Sequence, residues 1–471
     1  MSKALRRDFG FAFAGQASVV VVSVLRTLLI PMMLGANLHA YAYWQAYLLY
    51  LGYISVGYWG FNDGFYVRHL KRNDSPTQTR LSSGLLVDTL FLLGEAVALI
   101  ALAMSTDLFG DSTLMWVAVF ANLPLTGLYG ALTYHLQLTG KIDKASVIIT
   151  LEKLIFLLAV IIAYATGTLS LYYLIGIEIA SKLLVAVYGY LSERKALLSG
   201  PLNWGTGVLE FRENISVGIK LMLGAYFAML LTGVVRMFVQ VTAATAEFAY
   251  YALAFSFTSI IFQLGQAITV VLYPHLSRSA HGSIGEHFVK MDRTLTLLFP
   301  IVLLGYFPSA ILIRALLPRY EMSGYYLAFL LPVVGFQLIV GTLNGTYYKL
   351  LRQERNMLRD NLLSLLVLIA MCFVLREHIV AMTLAQILVL AFRAWDTKRQ
   401  FRARMRLPRG YAVLGQLVWT GAFLAAVQIR SAGLMAVFAA AVLVYLALRR
   451  TEILAIYRRY LKAPDVGTAA K

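Results

Sequence analysis

The sequence predicts an all-α, polytopic membrane protein, with about 14 transmembrane helices in two six-helix parallel repeats plus two appended helices. Three observations carry that reading. Of 471 residues, 60% are apolar and only 14% are charged, whereas soluble domains run near a quarter charged. Apolar stretches recur at lengths near the roughly 20 residues that cross a bilayer. The ends of several stretches also resemble one another at a nearly constant offset. No water-soluble core of this size hides so many apolar side chains, so cytosolic enzymes, disordered tails and disulfide-stapled secreted folds are excluded together. The single cysteine, Cys372, rules out an intrachain disulfide and any Cys-based zinc site.

In order, the spans are Phe11–Leu34, Leu38–Phe61, Leu81–Met104, Thr113–Leu138, Ala145–Thr166, Ser170–Leu191, Ser216–Gln240, Glu247–Tyr273, Thr294–Ile313, Tyr325–Tyr348, Asn361–Leu375, His378–Trp395, Ala412–Val427 and Gly433–Leu448. The first has basic residues ahead of it, as a signal peptide would. It is too long for one, carries Arg26, and lacks a small-residue cleavage site, so it reads as a retained span. The eleventh is short of the hydrocarbon thickness at about 1.5 Å per residue and should begin nearer Met357. Weakness in the eleventh and twelfth spans leaves a twelve-span arrangement as the alternative.

The net charge of +18 is explained by topology. One set of connectors, with both termini, holds 31 of the 41 Lys and Arg residues, and the opposite set holds only Arg314, Arg319, Arg376 and Arg430. By the positive-inside rule both termini are cytoplasmic. Nothing further supports nucleic-acid binding.

Repetition organises the chain. Tyr66-Val-Arg-His-Leu-Lys-Arg72 ends the second span, and Leu272-Tyr-Pro-His-Leu-Ser-Arg278 ends the eighth, with Tyr66 and Tyr273 207 residues apart. The same offset aligns Ala42-Tyr43-Trp44 with Ala249-Tyr250-Tyr251. Tyr134–Lys141 parallels Tyr347–Gln353 at a slightly larger offset. Six spans per unit is an even number, so both copies start on the same side and form parallel repeats, with a path expected between them. The expected domains are an N-lobe over 1–200 (spans 1–6), a C-lobe over 201–397 (spans 7–12), and 398–471 with the two appended spans and a basic cytoplasmic tail. Connectors are short. The largest are Ser192–Ile215 on the cytoplasmic side and Arg314–Gly324 on the outer side, which leaves no room for a periplasmic catalytic module.

Reaction machinery is missing from the sequence. Gly140-Lys141 lacks the preceding glycine of a phosphate-cradling loop. His281 and His287 flank a glycine-containing loop with no third ligand, so no metal site and no cofactor are expected. The informative residues are charges inside spans, which are costly in hydrocarbon and face a cavity, a partner or the interface. Glu178 and Lys182, spaced i,i+4, and Arg393 and Asp396, spaced i,i+3, are expected to pair on their own helices. Lys153 adjoins Glu152, and Lys220 lies near its helix end, where either lysine can snorkel. Arg26 and Arg236 have no acid within four residues on their own helices. Gln16, Ser23 and Thr27 form a polar stripe around Arg26, and Arg236 sits one turn from the repeat-equivalent position. Two such guanidiniums suit a phosphate, because the planar fork donates paired hydrogen bonds and stays charged. The alternative is cross-helix pairing with Asp88, Glu95 or Glu247.

The layout resembles the Wzx-type polysaccharide transporter, or O-antigen flippase, family of the multidrug/oligosaccharidyl-lipid/polysaccharide exporter superfamily. The resemblance rests on Phe9…Gln16, Leu34-Gly35-Ala36-Asn37 before Tyr41–Trp44, Gln137-Leu-Thr-Gly-Lys141, and Leu317-Pro-Arg-Tyr320. It implies a flippase that moves a lipid-linked oligosaccharide, a polyprenyl-pyrophosphate glycan, across a bacterial inner membrane by alternating access. The products served would be surface polysaccharides such as O-antigen lipopolysaccharide or exopolysaccharide. It implies Arg26, Arg236, Lys220 and Lys153 as contacts to the anionic head. Asp88, Glu95 and Glu178 would couple transport to Na+ or H+. Membrane lipid and a polysaccharide polymerase and ligase are the implied partners. The competing readings are a cation-coupled multidrug exporter of the same superfamily and a membrane-embedded glycan polymerase or glycosyltransferase. The basic lean of the span interiors disfavours the exporter.

Overall fold

The computed structural model describes residues 20–35, 37–72, 78–277, 284–343, 347–348, 351, 353–407, 413–429 and 431–452. Among these residues the elements are helical and no strand occurs. Ten helices are long and apolar enough to cross a membrane, and Val20–Met33, Leu414–Gln428 and Gly433–Leu448 are shorter apolar helices. The chain is thus a multi-pass membrane protein. It divides into two compact units, residues 2–227 and residues 228–471.

The N-terminal unit contains α1 (Val20–Met33), α2 (Leu38–Tyr53), α3 (Phe61–Arg72), α4 (Gln78–Ser105), α5 (Thr113–Leu138), α6 (Ile142–Ala165), α7 (Leu171–Ser192) and the one-turn α8 (Arg194–Leu197). It also holds the first part of α9 (Trp204–Thr242). Helix α5 is the hub and packs on α2, α3, α4, α6 and α7. Helix ends follow local chemistry. Asn37 caps α2, its side chain accepting from the Ala40 amide at 2.9 Å. Gly140 takes φ +72 after α5, and the Lys141 amide reaches back to Leu136 O at 2.8 Å, the glycine-terminated ending that L side chains disfavour.

The C-terminal unit contains the rest of α9, then α10 (Thr245–Ser277), α11 (Ile284–Leu304), α12 (Tyr306–Leu316), α13 (Met322–Leu343), α14 (Glu354–Val374), α15 (Ile379–Arg404), α16 (Leu414–Gln428) and α17 (Ala432–Leu448). Its hub is α13, buried over most of its length against α10, α11, α12, α15 and α16. Helices α5 and α13 each hold the fourth span of their six, and each carries an internal proline, Pro124 and Pro332. Proline is tolerated there because neighbouring helices and side chains satisfy the freed backbone groups.

Several expected boundaries need correction. The second span is not one helix: α2 stops at Tyr53, a 3-10 turn covers Ile54–Tyr58, and α3 restarts at Phe61. Trp59 at φ 48 and Gly60 at φ 79 make the break. The ninth span is likewise two helices, interrupted at Gly305. The supposed connector Ser192–Ile215 is largely helical, because α8 and the base of α9 lie within it. His287 belongs to α11 rather than to a loop, and His281 lies outside the described residues. The eleventh span does begin early, at Glu354.

Candidate functional site

Inside the N-terminal unit, apolar helices enclose a ring of polar side chains. Glu178 and Lys182 lie one turn apart on α7, and their charged ends meet at 2.8 Å. Lys182 Nζ also donates to Asn122 Oδ1 of α5 at 3.3 Å. The Asn122 amide donates to the Tyr47 hydroxyl of α2 at 2.9 Å, and Tyr47 donates to Glu178 Oε2 at 2.7 Å. Each donor in this ring meets an acceptor, which is what a polar network in a low-dielectric interior requires.

Arg26 of α1 stands beside the ring. Its guanidinium carbon lies 5.2 Å from the Trp44 ring centre and 4.8 Å from that of Phe156. The two rings stack at 7° with centroids 6.1 Å apart. Glu178 and Glu152 attract the guanidinium electrostatically, yet its buried Nη2 has no hydrogen-bond partner among the described residues. A desolvated cation–π contact contributes up to about 2 kcal/mol. Two of them match the roughly 2.5–3.5 kcal/mol cost of placing an arginine at mid-membrane depth. Aromatic faces therefore hold the charge without occupying Nη2, which has no partner among the described residues.

The other predicted site residues fall as follows. Lys153 pairs with Glu152 on α6 at 3.7 Å. Lys220 of α9 is exposed and makes no ion pair among the described residues. Asp88 of α4 is buried, with Oδ1 lacking a hydrogen-bond partner among the described residues. Glu95, two turns further along α4, is half-buried near the 3-10 turn, its Oε1 close to Gly57. Arg236 of α9 belongs to the C-terminal unit, is buried, and stands 5.0 Å from the Phe255 ring centre. The expected Arg393–Asp396 pair does not form. Arg393 reaches back to Asp360 of α14 at 3.6 Å, and Asp396 instead accepts from Gln400 at 2.7 Å.

Sequence reasoning missed Trp44, Phe156, Tyr47 and Asn122. Trp44 and Tyr47 stand three residues apart on α2, a spacing that places both on one face. Among 60 aromatic residues (26 Phe, 28 Tyr, 6 Trp) that spacing alone does not single them out.

The fold is shared by solved transporters. The chain superimposes on lipid II flippase MurJ in an inward closed conformation with a TM-score of 0.66 and 13% identity, over 94% of this chain and 99% of that one. It superimposes on an outward-facing multidrug resistance MATE family transporter of the MOP superfamily with a TM-score of 0.56 and 12% identity, over 86% and 96%. A MOP superfamily transporter from Pyrococcus furiosus, described as having reverse polarity of its binding pocket, gives 0.51 and 11%, again over 86% and 96%. No curated protein sequence matches the chain. A family profile described as "Polysaccharide biosynthesis protein" matches residues 83–320. That match covers half of the chain, and the protein belongs to this polysaccharide biosynthesis family.

Proposed function

We propose that the protein is a flippase that carries a polyprenyl-pyrophosphate oligosaccharide from the cytoplasmic to the outer leaflet of a bacterial cytoplasmic membrane by alternating access. The observation that carries this reading is Arg26: a guanidinium whose buried Nη2 has no partner among the described residues, held by two aromatic faces within an apolar bundle of a polysaccharide biosynthesis family member. A pyrophosphate leaving water needs such donors to replace part of its hydration. Arg236 is the counterpart in the second unit, and Lys153 and Lys220 add positive charge along the route. Asp88 and Glu95 are the carboxyls proposed to take a coupling H+ or Na+, since neither has an ion-pair partner among the described residues. Glu178, the third carboxyl expected in that role, is ion-paired with Lys182 at 2.8 Å, which leaves the coupling ion to Asp88 and Glu95. Both termini face the cytoplasm, and a glycan polymerase and ligase act on the delivered product.

The test is leaflet accessibility of a polyprenyl-pyrophosphate oligosaccharide in proteoliposomes, together with cell-surface glycan. Arg26→Ala and Arg236→Ala should each stop delivery while protein abundance stays normal. Undiminished glycan in both variants removes these residues from the mechanism. Formation of glycosidic bonds by the purified protein from defined donors would replace the transport reading with an enzymatic one.

A further inference from the structure

Each unit carries a buried carboxylate that the chain itself neutralises, with a cation supplied from the sixth span of the unit. In the N-terminal unit the cation is Lys182, held by Glu178 at 2.8 Å and by the Asn122 amide oxygen at 3.3 Å. In the C-terminal unit it is Arg393, one of the largest fully buried side chains in the protein. Its guanidinium lies 3.6 Å from Asp360 and donates to Thr397 at 2.8 Å and to Asn361 Oδ1 at 3.2 Å. The exposed Arg359 reaches the other oxygen of the same carboxylate at 2.9 Å. In both places a tyrosine hydroxyl closes the ring onto the carboxylate: Tyr47 onto Glu178 at 2.7 Å, and Tyr348 onto Asp360 at 2.8 Å.

The two sites therefore contain the same four groups: a carboxylate, an asparagine oxygen, a tyrosine hydroxyl and a buried cation. Lys182 and Arg393 are 211 residues apart, close to the repeat offset. The acids are not at equivalent places. Glu178 shares α7 with its lysine, whereas Asp360 comes from α14 and Arg393 from α15. A duplicated salt bridge would have kept the acid in register, so the common feature is the oxygen-lined site and its occupant. Buried ion pairs often add little stability over apolar replacements, and convergent oxygen atoms are what hard monovalent cations accept as ligands.

We infer that Lys182 and Arg393 are tethered cations filling two monovalent-cation sites, so that neither site takes a soluble cation in the intact protein. Truncating the tether converts each into an open site. The Glu178 site then binds a small ammonium ion or Na+, and the Asp360 site binds guanidinium or Na+. This inference is independent of the transported substrate, because its readout is cation binding.

The experiment is thermal unfolding of the purified full-length protein in detergent, with NaCl, methylammonium chloride or low-millimolar guanidinium chloride set against choline chloride at equal ionic strength. The difference in wild-type Tm between Na+ and choline should be unchanged by Glu178→Gln and by Asp360→Asn. Lys182→Ala should lose Tm and recover most of it, saturably, with methylammonium or Na+. Arg393→Ala, made together with Arg359→Ala so that Asp360 keeps no cation of its own, should do so with guanidinium or Na+. Adding Glu178→Gln or Asp360→Asn to the corresponding variant should abolish the recovery. The inference is overturned if folded truncation variants respond to no cation beyond choline. It is equally overturned if the wild type shows saturable Na+ stabilisation that Glu178→Gln or Asp360→Asn removes. Should truncation prevent folding, the wild-type titration decides: the inference stands if Glu178→Gln and Asp360→Asn leave the Na+ response unchanged, and falls if either removes a saturable one.

Discussion

Gly218 of α9 meets Gly60 so closely that a Cβ on Gly218 would strike the Gly60 carbonyl oxygen. One turn along each helix, a Cβ on Gly64 would strike the carbonyl of Asn214. Two backbones are in contact there with no side chain between them, the packing that small residues permit within membranes. The same crossing brings Arg68 to Glu210 at 2.8 Å, and to Glu213 and Asn214, and brings His69 to Glu210 at 3.2 Å.

Alanine at Gly218 or Gly64 should therefore destabilise the protein by several kcal/mol, on the order of an overpacked core site or more. Alanine at Gly176 of α7, where a Cβ meets nothing within 4 Å, should be neutral or mildly stabilising through helix propensity. Detergent thermal unfolding of the three variants measures the contrast. Equal Tm values would show that the crossing can open without cost.

The aromatic support of Arg26 gives a second expectation. Replacing Trp44 with Ala removes one ring contact and about 1–2 kcal/mol of guanidinium stabilisation, and Phe156→Ala does the same from α6. Each variant should reduce glycan delivery less than Arg26→Ala does. The double variant should approach the Arg26→Ala level. Delivery assays across the four proteins read this directly.

Asp88 and Asp360 call for opposite outcomes. Asp360→Asn leaves Arg393 buried and uncompensated, a loss of roughly 3–5 kcal/mol for a broken buried pair. Asp88 has no ion-pair partner among the described residues, so Asp88→Asn should keep or raise Tm. If Asp88 couples transport to a gradient, Asp88→Asn should still abolish gradient-driven delivery. A variant with normal Tm and normal delivery would exclude Asp88 from coupling.

Glu193, just past α7, sets a pH expectation. Burial pushes its carboxyl up, but hydrogen bonds and charge from Lys141 and Lys144 outweigh that and hold it below its ordinary value of 4.5. A carboxyl depressed in the folded state contributes stability above its unfolded pKa, and that contribution is lost as pH falls through the lower folded value. The clamp joining α7 to the start of α6 is thus intact at neutral pH and released in acid below about pH 4.5. In Glu193→Gln, Tm at pH 7 should fall modestly and the acid-side decline should flatten. High salt should weaken the wild-type effect, because both lysines are substantially exposed.

Hydropathy made the spans legible because a bilayer demands length and apolarity of each one separately. It could not locate the break at Trp59 and Gly60. That break lies within an apolar run, and its cause is a backbone contact with Gly218, far away in sequence. Nor did it reveal the base of α9. Glu210, Glu213 and Asn214 read as part of a loop until Arg68 and His69 supply their partners. At the candidate site Arg26 was conspicuous as a lone charge, and Glu178–Lys182 announced itself by spacing. Trp44, Phe156, Tyr47 and Asn122 were silent, because their roles arise from three helices converging. Arg393 was assigned to the wrong acid for the same reason: Asp360 arrives from another helix.

Helix α9 runs for 39 residues, against the roughly 20 that cross a bilayer. Nearly half of it must project into water or headgroups, and the charged stretch around exposed Arg212 is the natural half. The native cysteine, Cys372, is fully buried. A thiol installed at Arg212 would thus be the one handle open to an impermeant maleimide in sealed vesicles. Labelling from only one face would read the sidedness of the whole chain from a single position.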